Sequence, residues 1–305
     1  MFPNPICLSS ARLPRPMQVW PPLEFSHGIG HTAGFPTVWN GAMNRNHALW
    51  AILLLGFSAG AHAAPQQTPQ FAPVPAPAAA FDRPISLARF VPDLASDQKR
   101  IWPFPVRLIH RKVLLPTAAV LGVTAGLVAL DPISARYFRN TTAFNGFNKI
   151  FTGSATMYAT VAVPVVFYGA GLLRRDTKMQ HTGLLAVEAL TDTYLVTTAM
   201  KDVDRRLRPI DIPAHGNFSH SWFDDNNRYG LSDGSFPSGH MIAAVAVATV
   251  VSRRYGNHRW VPYVAYGLAG LVGFSRLTLS SHWVSDVFMG GALGYSISRF
   301  VVLRQ

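Results

Sequence analysis

The chain has 305 residues, of which 49% are apolar and 14% charged, and its formal net charge is +12. A charged fraction well below the roughly 25% of soluble domains favours a membrane-associated protein, and the basic balance favours phosphates or anionic lipids as partners. The basic residues form no long run or aromatic-rich basic module, which argues against nucleic-acid binding. The single cysteine, Cys7, excludes an intramolecular disulfide framework and a thiolate metal cluster.

Residues 1–82 contain patterns that predict a targeting segment and a tether rather than a folded domain. Residues 1–42 show no sustained periodicity and are predicted to be an upstream extension foreign to the native protein; a long natural leader is the alternative. Residues 43–63 combine a short basic start at Met43, an apolar run and a small-x-small tripeptide at 61–63, which predicts a signal peptide or, if uncleaved, a signal anchor. Residues 64–82 are rich in Pro and Ala and predict an extended tether.

Residues 83–305 are predicted to form one helical domain. No strand-like alternation is present, so the sequence predicts an all-α fold, a six-helix bundle embedded in a membrane. A membrane-spanning helix needs about 20 residues, and the fourth and fifth segments are short, so six full spans are not predicted. The six apolar segments are Val113–Leu130, which Asp131-Pro132 ends, then Ala155–Leu173, Thr182–Met200, Ser238–Val251, Trp260–Phe274 and Val284–Leu303.

Two indicators of orientation disagree. Basic residues cluster before the first segment, between the second and third, and between the fourth and fifth, which predicts that these loops are cytoplasmic. The loop Lys201–Pro237 then faces outwards. A cleaved signal peptide followed by six spans would instead place that loop inside. An uncleaved anchor with one segment not crossing, or a largely periplasmic bundle, keeps the loop outside, and this placement is preferred.

Some residues in the helical segments leave alternatives open. Glu188 and Asp192 lie one helical turn apart in an apolar segment, where charged groups are costly. They either pair with an inward-facing base or mark a helix that never meets lipid. Trp260, Trp283 and Tyr295 lie near segment ends and are either interfacial anchors or core aromatics.

The first chemical cluster is Lys201 followed, after six residues, by Arg208-Pro209. A spacing of seven equals two helical turns, which predicts both cations on one face of a helix that Pro209 ends. A guanidinium and an ammonium group together suit a tetrahedral dianion. The alternative is the basic, snorkelling end of a membrane helix.

The second cluster, Pro237-Ser238-Gly239-His240, directly precedes an apolar run. Ser238 is predicted to be the N-cap of a helix, Gly239 allows close backbone approach, and the free amides of the helix start suit an anion. His240 in the first turn could protonate a departing oxygen. The alternative is an ordinary capped helix start with an incidental histidine.

The third cluster is Ser275-Arg276, then His282 and Asp286. Their spacing predicts His282 and Asp286 on one helical face, with Ser280 or Ser281 capping the helix. The carboxylate would then hold one ring nitrogen and leave the other available for attack. A purely structural histidine–carboxylate contact is the alternative.

In this order the clusters resemble the K-x6-R-P, P-S-G-H and S-R-x5-H-x3-D signatures of the type-2 phosphatidic acid phosphatase and vanadium haloperoxidase superfamily. The resemblance covers about residues 155–300, with all eleven fixed positions present. It implies that His282 forms a phosphohistidine, that Asp286 orients it, and that His240 is the general acid. It implies no metal and no cofactor, because side chains supply the cations. The residues implied to hold the phosphate are Lys201, Arg208, Ser238, Gly239 and Arg276.

The resemblance implies a metal-independent phosphatase that acts on monoesters or diphosphates of lipids at a bacterial inner membrane, with the site facing the periplasm. The alternatives are a secreted, nonspecific acid phosphatase acting on soluble phosphomonoesters, a vanadium haloperoxidase binding vanadate on His282, and a catalytically inactive membrane scaffold. No obligate protein partner is indicated. Four residues of the long loop carry metal-ligating groups, but a solvated loop is favoured over a metal site: His215, His220, Asp224 and Asp225.

Overall fold

A computed structural model describes residues 84–104, 111–223 and 233–304. Within these ranges the regular structure is helical, which confirms the all-α prediction. All of them fall in one compact unit of the chain. The predicted extension, signal segment and tether, residues 1–82, lie outside the described residues.

The described residues contain eight α-helices. Six of them, α2 and α4 to α8, correspond to the six predicted segments, whereas α1 and the short α3 were not predicted because neither carries a long apolar run. A 3-10 turn at Pro209–Asp211 follows α5, and a π-helical turn at Ser298–Val302 continues α8. The helices are α1 Phe90–Ile101, α2 Arg111–Asn140, α3 Asn145–Ile150, α4 Gly153–Arg174, α5 Thr177–Asp204, α6 Gly239–Arg254, α7 Trp260–Thr278 and α8 Val284–Ile297.

Helix α2 is longer than predicted. The Asp131-Pro132 pair was expected to end it, but the helix continues to Asn140 with Pro132 inside. An interior proline removes one backbone hydrogen bond and strains the preceding turn. Tertiary contacts hold this turn in place, because Asp131 is buried and hydrogen-bonded to Arg206 and Ser285.

Helix α6 forms the centre of the bundle and packs against α4, α5, α7 and α8. Its residues from Ile242 to Ser252 are all buried. Helix α8 crosses α6 closely because Gly290 has no side chain: a Cβ there would lie 2.8 Å from the Ser238 carbonyl oxygen. Close packing at this point brings the start of α8 against the start of α6, and with them two of the three sequence clusters.

The carboxylates of Glu188 and Asp192 face protein. Both are buried on α5, and Asp192 accepts a 2.7 Å hydrogen bond from Gln98 of α1. Carboxylate oxygens of Asp97, Glu188 and Asp192 lie within 4.8 Å of one another, and Arg304 donates to Asp97. Sequence spacing did not reveal this group, because Asp97 is remote in the chain and lies on a helix that was not predicted.

Two helical stretches, Val113–Asn140 and Gly153–Arg174, are long and apolar enough to cross a membrane. Only 6% and 17% of the residues in their most apolar windows are buried, so most of this apolar surface faces away from the bundle. Among the aromatic residues, Trp283 is 1% exposed and belongs to the core, so an interfacial role for it is wrong. Trp260 and Tyr295 are 50% and 40% exposed, as an interfacial role requires.

Candidate active site

His282 lies in the segment just before α8, which begins at Val284. The predicted placement of His282 and Asp286 on one helical face is therefore wrong, and so is capping by Ser280 or Ser281. Trp283 is the N-cap residue, and Asp286 accepts a 2.9 Å hydrogen bond from the Trp283 N–H. A carboxylate in the first turn satisfies an N–H that has no partner within the helix, which explains why the helix starts there.

The hydrogen bonds of His282 determine its tautomer. The ring Nδ1 lies 2.8 Å from the Ser235 carbonyl oxygen and 3.4 Å from Asp286 Oδ2. A carbonyl oxygen can only accept, so Nδ1 carries the hydrogen and Nε2 is left with a lone pair. The nearest acceptor is thus the backbone of Ser235, rather than the predicted Asp286.

Asp286 is completely buried and has several donors. The Ser235 hydroxyl donates to Oδ2 at 2.5 Å, and Arg206 Nη1 donates to Oδ1 at 2.5 Å. Burial alone would raise the pKa of Asp286, but the hydrogen bond from His282 and the charge of Arg206 outweigh it, so this pKa is lowered. Asp286 is therefore an anion beside the imidazole.

Burial lowers the pKa of His282 to about 4; the positive charges of Arg208 and Lys201 act in the same direction, and Asp286 opposes them. The imidazole is consequently neutral near pH 7. A neutral, buried ring with a fixed Nδ1–H has the form required of a nitrogen nucleophile.

The start of α6 has the predicted arrangement. Ser238 is the N-cap, Gly239 is the first helical residue and His240 lies in the first turn. The Ser238 N–H donates to the Asp286 carbonyl at 3.1 Å, which ties the second cluster to the third. The Ser238 hydroxyl is buried and has no hydrogen-bond partner among the described residues. An unsatisfied buried hydroxyl at the amide end of a helix suits an anion.

His240 contacts the start of α4. Its Nε2 lies 3.0 Å from the Gly153 carbonyl oxygen, so this nitrogen carries a hydrogen. Burial lowers the pKa of His240 to about 3; the charges of Arg276, His282 and Arg208 add to this effect, and the Gly153 hydrogen bond opposes it. An anion entering among these cations would raise the pKa of His240 again.

Lys201 and Arg208 do not share a helical face, contrary to prediction. Helix α5 ends at Asp204, where Arg205 adopts a left-handed conformation with φ 43°. Arg208 lies beyond this turn in extended backbone before Pro209. The Asp204 carboxylate stabilises the turn by accepting the Arg206 N–H at 3.0 Å.

Lys201 and Arg208 nevertheless act on the same region. Burial and the charge of Arg208 together lower the pKa of Lys201 to about 8, against the opposing carboxylates of Asp286, Asp204 and Asp233. Like charges that perturb each other in this way are close neighbours. The fold of the loop, rather than helical spacing, therefore brings Arg208 close enough for its charge to act on Lys201.

Arg276 lies near the end of α7 with a buried guanidinium. It donates to the Ser275 hydroxyl, at 2.9 Å from Nη2, and to the Phe151 carbonyl at 3.1 Å. Burial lowers the pKa of Arg276 to about 10, and the charge of Arg208 contributes. The three cations Lys201, Arg208 and Arg276 thus surround one region beside His240 and His282. Such a gathering of like charges favours a bound anion.

Four residues around His282 were missed from the sequence. All four belong to the hydrogen-bond network that holds His282 and Asp286: Asp131, Arg206, Ser235 and Ser285. Arg206 lies inside the K-x6-R spacing, among other basic residues. Asp131 was interpreted only as the end of a helix, although a lone acid in an apolar helix is a signal for a buried partner.

The loop before α6 contains the histidines that were weighed as metal ligands. His215 and His220 are exposed, in agreement with the predicted solvated loop. Asp224 and Asp225 lie outside the described residues.

The PAP2 superfamily model matches residues 182–305, a range that contains all three sequence clusters. Residues 182–305 are thus similar to the PAP2 superfamily. The resemblance found in the sequence motifs is thereby confirmed.

Similar curated proteins are three bacterial enzymes. A lipid A 1-phosphatase of Porphyromonas gingivalis is 39% identical over 71 residues, which cover 23% of this chain and only 16% of that protein. Phosphatidylglycerophosphatase B of Bacillus subtilis is 29% identical over 48% of this chain and 70% of its own length. Undecaprenyl-diphosphatase BcrC of Bacillus subtilis is 28% identical over 49% of this chain and 70% of its own length.

A similar solved structure is a transmembrane PAP2-type phosphatidylglycerolphosphate phosphatase from Bacillus subtilis. It is 21% identical to this chain, and the match covers 68% of this chain and 94% of that one with a TM-score of 0.36.

Proposed function

We propose that this chain is a PAP2-type phosphatase that hydrolyses phosphomonoesters or diphosphates of lipids through a phosphohistidine on His282. The observation that carries the proposal is a neutral, buried imidazole with its Nδ1–H held by Ser235, beside three cations. The names of the three similar enzymes are those of lipid phosphatases or diphosphatases, which supports a lipid substrate.

In the first step, Nε2 of His282 attacks phosphorus and forms a P–N bond while the bond to the leaving oxygen breaks. His240, protonated once the anionic substrate has raised its pKa, gives its proton to the departing alkoxide or phosphate oxygen. Asp286 stabilises the positive charge that develops on the phosphorylated ring. The remaining phosphate oxygens are held by Lys201, Arg208 and Arg276.

In the second step, water attacks the phosphohistidine and the P–N bond breaks, so that His282 is regenerated and inorganic phosphate is released. His240, neutral after the first step, takes the proton from the attacking water. In both steps the charge on the transferred phosphoryl group is spread over oxygens that fixed donors can stabilise. In this proposal the Ser238 hydroxyl and the Gly239 amide supply two of these donors.

We also propose that the protein lies in a bacterial inner membrane with the pocket on the periplasmic side. Helices α2 and α4 expose long apolar surfaces, as contact with lipid requires. The basic loops at 174–178 and 253–259 lie at the opposite ends of α5 and α6 from Lys201 and His240. Basic loops tend to remain cytoplasmic, which leaves the pocket end outside.

The test is phosphate release from the purified full chain in detergent, with EDTA present. Phosphatidate, polyprenyl diphosphate and p-nitrophenyl phosphate are compared in parallel. We expect EDTA-resistant release from the lipids and little from the soluble ester. Release mainly from p-nitrophenyl phosphate would instead indicate an acid phosphatase for soluble esters, and absence of release from all three would overturn the proposal. An acid-labile, base-stable phosphoryl adduct that is lost in His282→Ala would identify the intermediate.

A further inference from the structure

Arg206 occupies a fully enclosed position behind the proposed nucleophile. It is 1% exposed, and it bridges two carboxylates: Nη1 lies 2.5 Å from Asp286 Oδ1 and Nη2 lies 2.7 Å from Asp131 Oδ2. The rings of Trp222 and Trp283 also pack against it, with their centroids 4.2 and 4.7 Å from the guanidinium carbon. A planar guanidinium held in this way has a single orientation.

Asp131 is held as firmly as Arg206. The Ser285 N–H donates to Asp131 Oδ1 at 3.1 Å, and the Ser285 hydroxyl donates to Asp131 Oδ2. The same hydroxyl accepts from Arg206 Nη1 at 2.7 Å. Helix α2, which exposes apolar surface on its other sides, is thus connected to the first turn of α8 next to Asp286.

The contacts form one chain of alternating charge. Asp131 is negative, Arg206 positive and Asp286 negative, and His282 becomes positive when it is phosphorylated. Arg206 draws electron density from Asp286 and so weakens its support for the charged ring, whereas Asp131 offsets part of the charge of Arg206. The balance between the two determines how strongly Asp286 stabilises the imidazole.

We propose that Arg206 and Asp131 are positioning residues that hold Asp286 against His282 and set the basicity of the nucleophilic ring. This inference rests on the proposed function. Neither residue touches the phosphate pocket; both act through Asp286. A buried ion pair that served stability alone could be replaced without a specific effect on the ring.

The test compares Asp131→Asn and Arg206→Gln over a range of pH. The acidic limb of the pH profile of kcat/KM reports protonation of His282. Both variants retain the other charged or titratable groups that face this ring: Asp286 on α8, Lys201 on α5, Arg208 in the loop and His240 on α6. Losing the negative Asp131 lowers the pKa of His282, so the limb moves to lower pH. Losing the positive Arg206 raises that pKa, so the limb moves to higher pH. Shifts of about half a pH unit in opposite directions are expected.

In both variants kcat on the plateau is expected to fall about tenfold or more, the scale for residues that orient a functional histidine from the second layer. KM is expected to change by about twofold or less, because the phosphate-holding cations remain. Orthovanadate and inorganic phosphate provide a measurement that does not depend on turnover. Vanadate attaches to the ring nitrogen, so its Kd should rise about tenfold, whereas the Kd of phosphate should stay nearly unchanged.

Two further variants keep the inference open to refutation. Asp97→Asn breaks another buried pair, 2.5 Å from Arg304, and is expected to retain the wild-type pH profile and vanadate Kd. Ser285→Ala retains all charges and removes only the bridging hydroxyl; it decides the matter if the charge variants fail to fold, with kcat and vanadate affinity expected to fall severalfold. Wild-type kinetics and vanadate affinity in Ser285→Ala, or limb shifts in the same direction in the two charge variants, would overturn the inference. A wild-type chain without phosphatase activity would instead contradict the proposed function.

Discussion

The proposed phosphate site has two sides, one with His282 and Asp286 and the other with Lys201, Arg208 and Arg276. The two sides differ in how their charges are balanced. On the histidine side, charges alternate from Asp131 through Arg206 to Asp286, at distances of 2.7 and 2.5 Å. On the phosphate side, like charges face one another, and Arg208 lowers the pKa of both Lys201 and Arg276. One side is therefore complete without substrate, whereas the other is held against repulsion that a bound anion would relieve.

This difference indicates that the two sides contribute to different properties. We expect the paired and buried groups to position His282, the proposed nucleophile, and to add to folding stability. We expect the crowded cations to reduce stability in the free protein, and a bound phosphate to relieve their repulsion.

The largest effect is expected from His282→Ala. The substitution removes the only atom proposed to attack phosphorus, so kcat should fall by about 10⁴-fold or more. His215→Ala changes an exposed histidine of the loop and is the matched control, with activity expected near the wild-type value. Both are measured as EDTA-resistant phosphate release. Retained turnover in His282→Ala would show that His282 is not the nucleophile.

Arg206→Met is expected to reduce the free energy of unfolding the most. It leaves Asp131 and Asp286 buried without their shared cation, which typically costs about 3–5 kcal/mol. Thermal or denaturant unfolding, followed by circular dichroism in detergent, measures this change. A variant as stable as the wild type would show that the histidine side does not depend on its pairing.

Lys201→Met is expected to have the opposite profile, with activity lost and stability at pH 7 kept or increased. The pKa of Lys201 is lowered to about 8 in the folded chain, below its value of about 10.4 in an unfolded one. Folding therefore disfavours the charged form below pH 8, and this destabilisation disappears as the pH rises from 8 towards 10.4. The wild type should gain stability relative to Lys201→Met over that interval. A constant difference between them would contradict this account.

Ser238→Ala is expected to have the smallest effect. The buried hydroxyl lacks a described partner, so its removal should leave the free protein equally stable or slightly more stable. Phosphate should bind about fivefold more weakly, which corresponds to one hydrogen bond of about 1 kcal/mol. Ser252→Ala removes another buried hydroxyl without a described partner, at the far end of α6, and should not change the phosphate affinity.

Some of the molecule could be predicted from the sequence alone. Apolar runs and the lack of strand alternation indicated an all-α fold, and six of the eight described helices matched them. Ser238, Gly239 and His240 occupy the predicted cap and first turn of α6. These predictions succeed because they depend on local chemistry: burial of an apolar helix face, and the residue types that start a helix. The Ser238 hydroxyl itself makes no capping hydrogen bond to the described residues of this helix.

What holds the pocket together depended on tertiary structure. The His282 tautomer is determined by a backbone carbonyl at Ser235, and every residue type has a carbonyl, so no sequence pattern could reveal it. The end of α5 depends on Asp204 accepting the Arg206 N–H, and the start of α8 depends on Asp286 accepting the Trp283 N–H. Asp131 reaches Arg206 across 75 residues of chain. Sequence determines which groups are available, but a buried charge has a defined partner only once packing has excluded water and brought remote segments together.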